Sequence, residues 1–265
     1  MANHYTTNKD EWRALADIDY FGMFVKAYIP FNAWLNVNYP KLDMDRAKIN
    51  AIKNTPNPFR NRIIVLLNSE SQEGNSFRNN IGELHNLLEN HYIENNGNRI
   101  TFTKIVVGKN PLKVKEDILN GQKYRVQYGD TNSETKTHCV IKKKNDDTLF
   151  SLQQEKYDLS EITACPDFNA LSMKQRNCLL NCYKAVMPES VMNLLYDLSP
   201  KDKSQYYMFG QIMFIKNSEN IAKGIIEVIY NLRNSLFHGE LIPNKEANKI
   251  YGAAYKILRE LIDAL

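Results

Sequence analysis

The hydrophobic period of this chain changes twice along its length, which points to a helical body interrupted by a β-rich stretch. Over the first 95 residues apolar positions recur at three- and four-residue steps: Leu15, Ile18, Tyr20, Phe21, Phe24, Val25, Tyr28 and Ile29, with a kink expected at Pro30. A second helix is expected over Met44 to Lys53, stopping before Pro56 and Pro58. A third, marked by Ile81, Leu84, Leu87 and Leu88, ends at the turn signal Asn95-Asn96-Gly97. The period then becomes two. Ile100 to Val107 is rich in β-branched residues, and Tyr124, Val126 and Tyr128 alternate with Lys123, Arg125 and Gln127. Thr137–Ile141 and Thr148–Leu152 continue an antiparallel meander.

Helix is expected again beyond Phe168, over Met173 to Val186, Val191 to Leu198 and Tyr206 to Lys216. A long helix then starts from Ser218 as cap and ends at Gly239 and Pro243. The last carries Ala247, Ile250, Tyr251, Ala254, Ile257, Leu258, Leu261 and Leu265. The expected fold is therefore mainly α: a helical bundle (1–95 and 161–265) with a small antiparallel β-rich insertion (96–160). Within 96–160, 12 basic residues face 8 acidic ones, so the insertion would hold the whole net charge of +4. Lys142, Lys143, Lys144 and Arg125 in that stretch suit contact with RNA phosphates, and Tyr124 and Tyr128 suit base stacking. A solvated turn and a small core are the plainer readings of the same residues.

With 43% apolar and 24% charged residues, the composition excludes a disordered, fibrous or disulfide-dense chain. Lys26 and Pro30 interrupt the best candidate for a membrane span, and Met1 to Glu11 lacks the layout of a secretion signal, so a cytoplasmic protein with no membrane partner is expected. Cys139, Cys165, Cys178 and Cys182 show neither framework nor zinc spacing; reduced thiols, no metal and no cofactor are expected. Asp17-x-Asp19 and Asp43-x-Asp45 do not face together on a helix, which argues against a metal-dependent nuclease.

The segment from Tyr230 to Glu240 carries the chemistry. With Leu232 toward the core, Asn234 and His238 fall about 200° and about 240° around the helix, on its outward side. Tyr230 and Glu227 lie one and two turns earlier on that side and are candidate supporting residues, as is Glu240 beside the histidine. Arg233 lies about 140° from His238, so the two converge most readily if a second copy of the helix packs there by two-fold symmetry. Such a set suits RNA scission. An imidazole can take the proton from a ribose 2′-hydroxyl, and a guanidinium can meet the charge that grows on the phosphoryl oxygens. Arg78, Asn79 and His85 supply a second arginine–histidine pair, expected on a solvated face.

Arg233, Asn234, three variable residues and His238 resemble the hallmark of the HEPN family: Arg, a polar residue that is often Asn, three variable residues, then His. Gly239 is similar as well, as is the position near the end of a penultimate helix. The run Ala27 to Trp34 is more loosely similar to some prokaryotic openings. The resemblance covers the helical parts and not the β-rich stretch. It implies a helical bundle, a homodimer and a metal-independent endoribonuclease with Arg233, Asn234 and His238 as catalytic residues. It further implies a toxin or antiviral-defence effector, with an antitoxin or defence-system partner. Some toxin members carry Tyr two residues after the His, where a nucleotidyltransferase modifies it; Glu240 stands there in this chain, so that route is not expected. The alternative is a catalytically inactive HEPN-like module that binds nucleic acid, a nucleotide or a partner protein.

Overall fold

The computed structural model describes residues 19–129, 133–196 and 205–265; the expectations at Leu15, Asp17, Ile18 and Leu198 fall outside them. Helices start where the chain supplies a cap. The Asp19 carboxylate accepts the Gly22 amide and opens α1 (Tyr20–Asn38), which continues through Pro30. After α2 (Asp45–Asn54), Asn57 accepts the Arg60 amide and Pro58 takes the first position of α3 (Pro58–Asn68). Pro58, one of the two prolines read as a stop, thus also begins an unexpected helix, because a first-turn proline loses no intrahelical bond. Ser71 caps α4 (Gln72–Asn90).

The strands follow the turns. Asn96-Gly97, both at positive φ, joins β1 (Glu94–Asn95) to β2 (Asn98–Arg99). After β3 (Ile105–Lys109), Asn120-Gly121 closes a second hairpin between β4 (Val114–Leu119) and β5 (Gln122–Tyr128). β6 (Thr137–Lys142) and β7 (Thr148–Gln154) complete a four-stranded antiparallel sheet in the order β4-β5-β6-β7. Three helices follow: α5 (Leu159–Ala164), α6 (Pro166–Asn169) and α7 (Met173–Ala185), the last opened by a reciprocal capping box between Ser172 and Gln175. β8 (Glu189–Met192) pairs with β3, and β9 (Tyr206–Phe209) with β10 (Ile212–Ile215). The chain ends in α8 (Ser218–Phe237) and α9 (Lys245–Ile262).

The fold is mixed, about 51% helix and 20% strand in four small antiparallel sheets, which overturns the expectation of a mainly α bundle with a small β insertion. Two expected helices are strands. Tyr206 to Ile215 is a hairpin because Gly210, at positive φ, occupies the first central position of a two-residue turn between apolar, aromatic-rich runs. Val191 begins no helix; it belongs to β8, and Leu195 bridges to Phe214. Strand β4 was not expected either, although Asn120-Gly121 is a strong hairpin signal.

Two compact units form, one from the described residues up to 107 and from 192 onward, the other from 108–191. The interruption is therefore longer than 96–160 and includes α5, α6 and α7. Within 108–191, 13 basic residues face 11 acidic, a surplus of two, and the rest of the chain carries the other two; charge does not mark the boundary. In the 108–191 unit the core joins Tyr124, Val126, Cys139, Ile141 and Phe150 from one sheet face to Leu179, Cys182 and Tyr183 of α7. All four cysteines are free thiols.

In the other unit, α8 packs on α2, α3, β1 and α9 and buries Ile221, Ile225, Val228, Ile229 and Leu232. The Tyr251 hydroxyl of α9 donates to the Leu232 carbonyl at 2.7 Å, tying the two last helices together. No helix among the described residues is long and apolar enough to cross a membrane. Arg78 and His85 are not on a solvated face. The Arg78 guanidinium donates to the carbonyls of Leu67 (2.9 Å) and Ser69 (2.6 Å), closing the end of α3. His85 is buried edge-on against Phe102 and Phe214, and its Nδ1 has no partner.

Burial holds the His85 imidazole below its ordinary value near 6.5, against Glu89 and with Arg99 assisting. As pH falls through that value the unfolded chain takes up a proton that the folded chain refuses, so this stability is present above it and lost below. Urea midpoints measured at about pH 7 and about pH 5 should therefore drop for the wild type and drop less for His85→Phe. Equal drops in both proteins would mean that His85 is not held neutral.

Candidate active site

The last turn of α8 ends as a Schellman motif, with His238 as its C-cap. The Gly239 amide donates to the Leu236 carbonyl at 3.3 Å and the Glu240 amide to that of Ser235 at 2.9 Å, with Gly239 at positive φ. At the other end Asn217, not Ser218, is the cap. The chain therefore turns sharply just after the motif, and this leaves His238 exposed while Asn234 one turn earlier is buried.

The polar side of α8 is not outward within this single chain. Glu227 is 4% exposed, Tyr230 7% and Asn234 7%, because α2 packs across them. A buried carboxylate needs compensation, and Glu227 has it twice. Lys53 Nζ, itself buried, donates to one oxygen at 2.6 Å, and Arg46 Nη1 donates to the other at 2.6 Å. Burial pushes this carboxyl up, yet the two cations outweigh it and hold the group below the usual carboxylate range. Lys53 also donates to the Val106 carbonyl at 2.9 Å. Asn231 extends the network, accepting from Arg46 at 3.3 Å and from Asn95 at 3.0 Å.

Arg233 is packed rather than free. Its guanidinium lies 4.7 Å from the centre of the Phe237 ring and 5.8 Å from that of Tyr28, with Nη1 donating to Asn234 Oδ1 at 2.9 Å. Nη2 is 3.5 Å from Asp45, and Nε is buried without a partner. Burial by its surroundings drives the Tyr28 hydroxyl well above its ordinary value, so it stays a neutral phenol. The motif thus brings Arg233 and Asn234 together, and Asp45 pairs with the arginine. No hydrogen bond joins Arg233 to His238, and no partner of the His238 ring exists among the described residues. Glu240 Oε2 accepts the Asn96 amide at 3.0 Å and lines a depression of about 180 Å³ with His91, Tyr92 and Ile242; Arg233 and His238 do not line it.

Comparison with protein-family models, curated proteins and solved structures finds no match for this chain. The likeness to HEPN proteins accordingly rests on the residues quoted from the sequence. Those residues alone did not reveal Arg46, Lys53, Asp45 or Tyr28, which lie far from α8 in the chain and carry no spacing signal.

The other candidates lie in the 108–191 unit. Lys142, Lys143 and Lys144 are exposed on the last position of β6 and the following turn, and Lys142 sits directly across from Lys123. Arg125 is engaged with Glu116 at 3.1 Å. The stacking role for tyrosine does not hold: Tyr124 is buried in the core with Val126, on the sheet face opposite Arg125, and Tyr128 packs on Tyr157 and under Lys113.

Removing one partner of a buried ion pair leaves the other uncompensated, at a cost of about 3 kcal/mol. Urea denaturation of Lys53→Met should show a loss of that order, and Glu227→Gln combined with Lys53→Met should lose less than the two single changes added together. Strict additivity would contradict direct pairing of the two groups.

Proposed function

We propose that this protein is a metal-independent endoribonuclease built around Arg233, Asn234 and His238, and that it works as a homodimer. The observation that carries this reading is the contrast within one motif. Arg233 is held in place by Asn234, Asp45 and two aromatic rings, while the imidazole of His238, five residues on, is exposed and uncommitted. A fixed guanidinium suits charge stabilisation at phosphorus, and an unengaged imidazole suits proton transfer.

In the proposed reaction His238 removes the proton from a ribose 2′-hydroxyl. The oxygen attacks the adjacent phosphorus, the bond to the 5′-oxygen breaks, and a 2′,3′-cyclic phosphate forms. The leaving 5′-oxygen takes a proton from the imidazolium of a second His238 supplied by the other copy. Arg233 meets the charge on the non-bridging oxygens. Exposed Phe237 and Met44, flanking Arg233 and Asp45, supply apolar surface for such a mate to cover. Lys142, Lys143 and Lys144 add a general attraction for phosphates. In a cell this activity would serve as a toxin or antiviral effector, restrained by an inhibitor or a defence-system partner.

A second reading has its own observation. Because Arg233 is already paired with Asp45, the same face can serve a module that binds RNA without cutting it.

Purified protein incubated with labelled RNA in chelator should yield cyclic-phosphate ends, and the all-deoxy analogue should survive. His238→Ala and Arg233→Ala should each slow cleavage by about 100-fold or more. Binding with no cleavage would favour the second reading. Cleavage that requires magnesium, or that both substitutions leave unchanged, would refute the first.

A further inference from the structure

Arg46 is a strongly held cation of this region that the motif does not contain, and unlike Lys53 it reaches solvent. Its guanidinium lies 4.4 Å from the centre of the Tyr230 ring, with Nη1 on Glu227 at 2.6 Å and Nη2 on Asn231 at 3.3 Å. Three contacts on three residues of α8 fix its plane. Its side chain nevertheless remains 41% exposed, against 1% for Lys53. Two cations share the single Glu227 carboxylate, so one positive charge is left over. Lys53 is sealed in, so the surplus meets solvent at Arg46.

Position supports a role for that surplus. Arg46 follows Asp45, the partner of Arg233, and stacks on Tyr230, one turn before Arg233 on α8. The two guanidinium groups are thus neighbours along the same face, each resting on an aromatic ring and each oriented by a carboxylate. An arginine pre-set in this way loses little freedom on binding an anion, and its remaining N–H groups suit phosphate oxygens.

We propose that Arg46 is a second phosphate-binding residue, which holds the phosphate adjacent to the one at Arg233, so that the site recognises a strand with at least two successive phosphates. The inference rests on the ribonuclease reading only for the identity of the strand. Arg46 is a binding and positioning group here, and it takes no part in proton transfer.

The experiment compares two oligoribonucleotides, one with a single internal phosphodiester and no terminal phosphate, the other with six. Binding is measured in the His238→Ala protein, so that nothing is cut. Arg46→Ala in that background should weaken binding of the longer strand about tenfold and lower its salt dependence by the equivalent of about one phosphate contact, while leaving the short one unchanged. Arg46→Lys should restore part of the loss. In the otherwise native protein Arg46→Ala should raise KM for the longer strand with kcat nearly kept. A circular-dichroism melt accompanies each variant, since loss of the Glu227 contact also affects stability. Equal loss for both lengths, or none for either, overturns the proposal. Length-dependent binding without any cleavage would retain the Arg46 role and discard the nuclease; cleavage indifferent to Arg46 would do the reverse.

Discussion

The buried carboxylate of Glu227 organises the region around α8. A carboxylate taken out of water is tolerated only if cations and hydrogen bonds replace its hydration, and here Lys53 and Arg46 on α2 both do so. The pairing fixes α2 across the polar side of α8. Once α2 is there, Asp45 reaches Arg233, Arg46 settles on Tyr230, and Asn231 links Arg46 to the Asn96-Gly97 hairpin through Asn95. None of these contacts survives a shift of α2 by one turn.

The end of α8 then divides the motif. Hydrogen bonds of the helix hold Asn234 and Arg233 inside packed structure, and the Schellman turn at Gly239 ends the helix with His238 at its rim. Residues separated by a single helical turn thereby acquire opposite environments, one satisfied by neighbours and one open to solvent. That asymmetry is what the proposed charge-stabilising and proton-transferring groups respectively need, and it follows from where one helix stops.

The 108–191 unit obeys a simpler rule. Alternation along β5 and β6 sends Tyr124, Val126, Cys139 and Ile141 under α7 and turns Lys123, Arg125 and Lys142 the other way. Burial of the Cys139 thiol pushes it up to about 12 and that of Cys182 to about 11, so both remain protonated apolar fillers. The exposed lysines are free to meet phosphates, but among the described residues of the sheet no phenylalanine, tyrosine or tryptophan lies on the face of Lys142.

Local chemistry was legible wherever a few adjacent residues suffice. The Asn96-Gly97 turn and the Gly239 terminus act over two to six residues and read as such, and the long helices α1, α4, α8 and α9 follow from period alone; the equally local Asn120-Gly121 and Gly210-Gln211 turns are not among the expectations, and the cap of α8 lies one residue earlier than expected. Tyr206 to Ile215, and Val191 with Met192, fit a helix on pattern because short apolar runs fit both periods, and only a pairing strand decides between them. For the site, the sequence by itself determined that Glu227, Tyr230, Asn234 and His238 share a side of one helix. Tertiary structure decided that three of the four are buried, that Arg78 and His85 serve the core, and that Arg46, Lys53 and Asp45 join Glu227 and Arg233. The physical reason is that periodicity states which residues face the same way, whereas what covers that face comes from chain about 180 residues distant, brought there by the packing of the whole core.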